Sequence, residues 1–128
     1  MDYDHINRSK TLLVYHIVLV TKYRHKILDQ LQILETMKTI ESISDFDILE
    51  QEFEPDHIHM MIRSIPKHSV LSLIRRIKSM STVRSWKLFS RILREKYWKE
   101  KTLWTDSYFT CTVGNASIAT IKKYINSR

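Results

Sequence analysis

The stretch TLLVYHIVLVT, residues 11–21, constrains the fold more than any other part of the chain. It is dense in β-branched and aromatic residues, which suit a pleated surface. Its apolar residues do not alternate with polar ones, so a strand built from it must be covered on both faces. The apolar run, residues 12–20, reaches about half a bilayer and includes His16, so it is no membrane helix. The stretch predicts a strand in the middle of a sheet.

The remaining elements follow from periodicity. Ile27, Leu31, Leu34, Met37 (or Ile33), Ile40 and Ile43 recur at helical spacing and predict a helix over 27–44. Residues 46–53 and 57–64 read as strands. Glu54-Pro55-Asp56 between them reads as the turn of a hairpin, because proline cannot extend a ladder. Residues 65–69 break the pattern, with Ser69 placed to cap a helix. Val70, Leu73, Ile74, Ile77 and Met80 then form an apolar stripe that leaves Arg75, Arg76 and Lys78 toward solvent. Helical spacing continues over 88–98. Residues 108–113 predict a strand ended by Gly114, and Asn115 or Ser117 caps a final helix through Tyr124. The order β-α-β-β-α-β-α implies an α+β class: one domain, residues 1–128, with an antiparallel sheet and helices on one face, the split βαβ plan.

Composition excludes several chemistries. With one glycine, the chain has neither a phosphate-cradling loop nor a Gly-rich dinucleotide turn. With one cysteine, Cys111, it has no intrachain disulfide and no cysteine-based zinc site. Cys111 and His16 read as core residues, His16 as a buried, hydrogen-bonded histidine. The acidic start, Met1-Asp2-Tyr3-Asp4, lacks a signal-peptide pattern, so the expected compartment is the cytoplasm, with no membrane partner.

Charge is concentrated. The chain carries +7 overall, yet residues 70–101 hold ten of the 21 basic residues and two of the 14 acidic ones. A local field of that sign suits a polyanion, most simply nucleic acid, although basic helix faces are also common as plain solvated surface. Arg75, Arg76, Lys78, Arg84, Lys87, Arg91 and Arg94 are candidates to track phosphates, with Lys22 and Arg24 after the first strand. Trp86, Tyr97 and Trp98 are interleaved with them. Exposed aromatics can stack on unpaired bases, but Trp86 and Trp98 also fit a core or dimer interface.

His57 and His59 flank Ile58. In a strand they share a face about 6.5 Å apart along the backbone, and two such imidazoles can converge on a cation if other groups complete the shell. Surface histidines also occur at this spacing. Asp56-His57-Ile58-His59 resembles the signature of the HUH endonucleases. More of the chain is similar to their single-tyrosine transposases of small bacterial and archaeal insertion sequences. Tyr15-His16-Ile17-Val18, Thr21-Lys22-Tyr23-Arg24, Leu103-Trp104, Ser107-Tyr108-Phe109, Thr112-Val113-Gly114 and Ile121-Lys122-Lys123-Tyr124-Ile125 carry the resemblance in the family's order.

The resemblance implies a ferredoxin-like domain with a C-terminal tyrosine helix. It implies homodimers that bind single-stranded DNA hairpins at insertion-sequence ends. It implies cleavage by a tyrosine nucleophile through a 5′-phosphotyrosine intermediate, with strands rejoined afterwards. Tyr124 is then the nucleophile, and His57 and His59 hold a divalent metal, Mg2+ or Mn2+. Spacing alone places Tyr124 with Ile118, Ile121 and Ile125 as a core or interface aromatic. The family usually has a glutamine ligand four residues after the tyrosine; Arg128 stands there and has no acceptor. Asn126, Ser127, Asp56 or water are the alternatives, though alternation turns Asp56 away from His57. A hairpin-binding relative without catalysis is the alternative reading of that departure. An RNA-binding split-βαβ domain would need an aromatic-rich strand motif that the chain lacks.

Overall fold

The continuous apolarity of residues 12–20 is accounted for by position in the sheet. In the computed structural model, which describes residues 13–112, β1 (Leu13–Val20) is an interior strand. It is followed by α1 (Ile33–Ser42), β2 (Asp47–Glu54), β3 (His57–Ser64), α2 (Val70–Lys96) and β4 (Phe109–Thr112). The strand order is β2-β3-β1-β4. β1 pairs antiparallel with β3 from Leu13↔Ser64 to Val20↔His57, and with β4 from Tyr15↔Thr112 to Val18↔Phe109. β2 pairs antiparallel with β3, so β1 and β2 run parallel with β3 inserted between them. This is the expected split βαβ plan. The helix expected to carry Tyr124, and Tyr124 itself, lie outside the described residues.

One sheet face supplies the core. Ile17, Leu19, Ile58, Met60 and Ile62 are fully buried and cluster with Met37 and Ile40 of α1 and Leu73, Ile74 and Ile77 of α2. The opposite face carries His16, His57 and His59, yet Val18 and Val20 on it are buried too. Apolar burial at both parities is why the sequence of β1 shows no alternation.

The helix predicted from residue 27 begins at Ile33 instead. The backbone N–H groups of Ile27 and Leu28 both donate to the Pro55 carbonyl, at 3.0 and 2.9 Å, which holds this segment on the β2–β3 turn. A short 3-10 turn (Leu28–Gln30) and a left-handed Gln32 (φ 49°) then precede the helix. Ser69 caps α2 as expected, its Oγ accepting the Ser72 N–H at 3.0 Å. The helical spacing read in two stretches forms one element, bent at Phe89 (φ −130°, ψ 34°). No helix among the described residues is long and apolar enough to cross a membrane.

Met60 faces the helices from the second interior strand and is fully buried. Met60→Ala is expected to cost roughly 2–5 kcal/mol, read as a lower denaturation midpoint at unchanged m-value.

Candidate active site

β3 begins at His57 directly after the two-residue turn Pro55-Asp56, so its first outward position is a histidine and its second is His59. Strand alternation sends Ile58 and Met60 into the core and leaves both imidazoles on the other face, half-buried at 15% and 19% side-chain exposure. Their cross-strand neighbours on β2 are Glu54 opposite His57 and Glu52 opposite His59, with Glu50 opposite Met61. These three glutamates are exposed.

Each imidazole has a partner. His57 donates its Nδ1–H to Asp56 Oδ1 at 2.8 Å. This turns Nε2 away from the carboxylate, the usual way of orienting a metal-binding histidine. The expectation that Asp56 points away from His57 fails because Asp56 belongs to the turn, where strand alternation does not apply. The second oxygen, Asp56 Oδ2, accepts from Arg24 Nε at 3.1 Å and Nη2 at 2.9 Å. Burial pushes the Asp56 carboxyl up, but the hydrogen bonds from His57 and Arg24 outweigh it and hold the group below its ordinary range. Asp56 is therefore an anion at neutral pH, tied between a guanidinium and a ring.

His59 Nε2 meets His16 Nδ1 at 3.0 Å, and His59 Nδ1 lies 3.6 Å from Glu52 Oε1. His16 is half-buried rather than buried, and its hydrogen-bond partner is this second histidine. Burial, and then the neighbouring His59, lower the His16 pKa and favour its neutral ring. A histidine on a neighbouring strand at equal side-chain parity was the signal in the sequence, but parity is useful only once strand register is known.

The loop after β1 delivers Arg24. Tyr23 (φ 60°) and Arg24 (φ 54°) are consecutive left-handed residues, a conformation that costs non-glycine residues about 1–2 kcal/mol each. Surrounding bonds offset that cost. Thr21 Oγ1 donates to the His25 carbonyl at 2.8 Å, Tyr97 Oη donates to the Lys22 carbonyl at 2.8 Å, and Lys22 N–H donates to Leu103 O at 2.8 Å. Lys22 Nζ pairs with Glu100 at 2.7 Å. Two residues expected at a nucleic-acid surface are thus engaged in ion pairs.

The basic stretch divides in the same way. Lys78 donates to the carbonyls of Thr105 and Asp106, and Arg76 to Ser44 Oγ and the Ile43 carbonyl. Arg84 is half-buried, while Arg75, Lys87, Arg91 and Arg94 are exposed. Trp86 is buried and donates to Thr102 O at 2.8 Å, and Tyr97 is buried as well. Trp98 is 72% exposed and rims, with Tyr23, Lys96 and Lys99, a cleft of about 440 Å³. Cys111 is half-buried beside His16.

Residues 9–128 match the family model described as "Transposase IS200 like". The chain is 30% identical over 121 residues to the ISDra2 transposase TnpA of Deinococcus radiodurans, covering 91% of this chain and 84% of that protein. It is 32% identical over 114 residues to the transposase for insertion sequence element IS200 of Salmonella typhimurium, covering 87% and 73%. Its fold is similar to that of a crystal structure from Deinococcus radiodurans R1 assigned as a transposase, with TM-score 0.78, 28% identity and 91% of each chain covered. A REP-associated tyrosine transposase bound to a REP hairpin shares the fold at TM-score 0.55 and 17% identity, over 92% of this chain and 62% of that one.

Arg24→Ala would leave a largely buried carboxylate without its guanidinium. The expected loss is on the order of 1–3 kcal/mol of stability by denaturant titration. Arg24→Ala and Asp56→Asn should be clearly non-additive in a double-mutant cycle, since they remove one interaction.

Proposed function

The chain belongs to the IS200-like transposase family, and from that premise we propose that it binds single-stranded DNA hairpins at insertion-sequence ends, cleaves them with Tyr124 and rejoins the strands. The observation that carries the reading is the pair of same-face imidazoles, His57 and His59, with Asp56 and Arg24 fixing the first of them. In this reading the chain works as a homodimer, and each site takes its tyrosine from the same subunit or from the partner.

The donor set suits a divalent ion. Two neutral imidazoles and nearby carboxylates ligate or orient borderline and hard cations, and Mg2+ or Mn2+ retains water and phosphate oxygens for its other positions. Among the described residues no three His, Cys, Asp or Glu groups form a cluster that could hold an ion, so the protein ligands in this reading are the two histidines. When bound, such an ion supplies Lewis-acid polarisation of the scissile phosphate.

The rest of the chemistry belongs to the chain and the DNA. A phenol ordinarily has a pKa of about 10, so attack by Tyr124 as phenolate would call on positive charge, for which Lys122, Lys123 and a bound ion are the candidates. Oη forms a bond to phosphorus as the P–O3′ bond breaks. The 3′ oxygen leaves as a hydroxyl, taking up a proton equivalent to the one the phenol lost. The DNA 5′ phosphate stays esterified to tyrosine. A 3′-OH reverses the step, and the stored ester removes any need for ATP. Exposed Arg75, Lys87 and Arg91 would track phosphates, and the Tyr23–Trp98 cleft offers faces for an unpaired base.

Incubation with a hairpin-bearing oligonucleotide and Mn2+ should give an SDS-resistant adduct. Tyr124→Phe should abolish it, and His57→Ala should abolish it while largely sparing hairpin binding. Binding without any adduct in the wild type would favour the non-catalytic relative that Arg128 suggests. Lys87→Gln and Arg91→Gln should each reduce the slope of log K against log salt by about 0.7–0.9, while Arg24→Gln, whose charge is spent on Asp56, should leave the slope unchanged.

A further inference from the structure

Three imidazoles share this face of the sheet, and the third, His16, has no part in the chemistry above. His16 Nδ1 lies 3.0 Å from His59 Nε2, with ring planes within 20° of each other and centroids 5.2 Å apart. The centroid gap exceeds the nitrogen gap by about two ring radii. The rings therefore meet edge to edge along one N–H···N line and are not stacked face to face. The other edge of His59 presents Nδ1 to Glu52 Oε1 at 3.6 Å, as His57 presents Nδ1 to Asp56 Oδ1 at 2.8 Å. A carboxylate beside Nδ1 favours the proton there and the lone pair on Nε2. On His57 that lone pair is turned away from its carboxylate. On His59 the same placement would make Nε2 the acceptor of the His16 Nδ1–H.

We propose that His16 is the resident occupant of the ligating nitrogen of His59, so that an entering divalent ion must displace the His16 N–H, and that His16 thereby sets how tightly the site takes up its ion. This rests on the reading of His57 and His59 as ion ligands. The proton stays on His16 Nδ1, which is released to donate to an oxygen acceptor. His16 is not itself a third ligand in this arrangement, because two nitrogens on one line aim at each other and not at a common point.

The test is Mn2+ titration of the full chain without DNA, followed by electron paramagnetic resonance of the free ion. His16→Ala and His16→Phe, the latter conserving ring volume, should each bind Mn2+ about 2- to 10-fold more tightly, the factor one net hydrogen bond is worth. Thermal melts confirm folding, and if the phenylalanine variant fails to fold the alanine variant carries the comparison. His57→Ala should lose the ion. Unchanged or weaker binding in the folded His16 variants would overturn the proposal while leaving the two-histidine site standing. No Mn2+ uptake by the wild type would overturn the ion site and the proposal together. Long-range 15N correlation spectra of the ion-free protein should show His59 protonated at Nδ1, and protonation at Nε2 would refute the arrangement.

Discussion

The turn between β2 and β3 is held by three backbone donors on two carbonyls. Pro55 O accepts the N–H groups of Ile27 and Leu28, and Asp56 O accepts the N–H of Thr21 at 3.0 Å. An exposed turn is ordinarily held by little beyond its own two strands. Here it is stitched to the segment that follows the central strand. The stitching fixes where β3 starts, hence which side chains face outward, and brings Arg24 within reach of the Asp56 carboxylate. The left-handed pair Tyr23-Arg24 persists because its neighbours over-determine it, which is how strained backbone survives in folded proteins.

Much of this was legible from residue order. The bounds of the His57–Ser64 strand, the Ser69 cap and the interior place of the first strand follow from alternation, capping chemistry and two-sided apolarity, all of which are local. What escaped is non-local. The stripe from Ile27 mimics a helix, yet the backbone donors of Ile27 and Leu28 are spent on Pro55, a partner 27 or more positions away. Strand alternation places Asp56 wrongly because it does not extend one residue into a turn. Nothing near His16 in sequence reveals that His59, 43 positions on, completes its hydrogen bond, so its apolar neighbours alone suggest the core.

Charge shows a similar divide. Counting basic residues locates the positive stretch correctly, but a count cannot tell a solvated guanidinium from one that ties two elements together. Arg76 joins α2 to the end of α1, and Lys78 joins it to the segment before β4. Such side chains hold helices against the sheet through polar ends and apolar stems. Arg75, Lys87 and Arg91 remain on the solvent side.

The exposed glutamates of β2 have an effect of their own. As an outermost strand, β2 would otherwise offer unpaired backbone groups to any extended chain drifting past, and Glu50, Glu52 and Glu54 make that rim inhospitable. The same rim repels phosphate, while the cationic surface of α2 attracts it. The molecule is thus electrically lopsided, and a polyanion arriving by diffusion would be turned before it touches: drawn toward the helix side of the sheet and kept off the β2 rim.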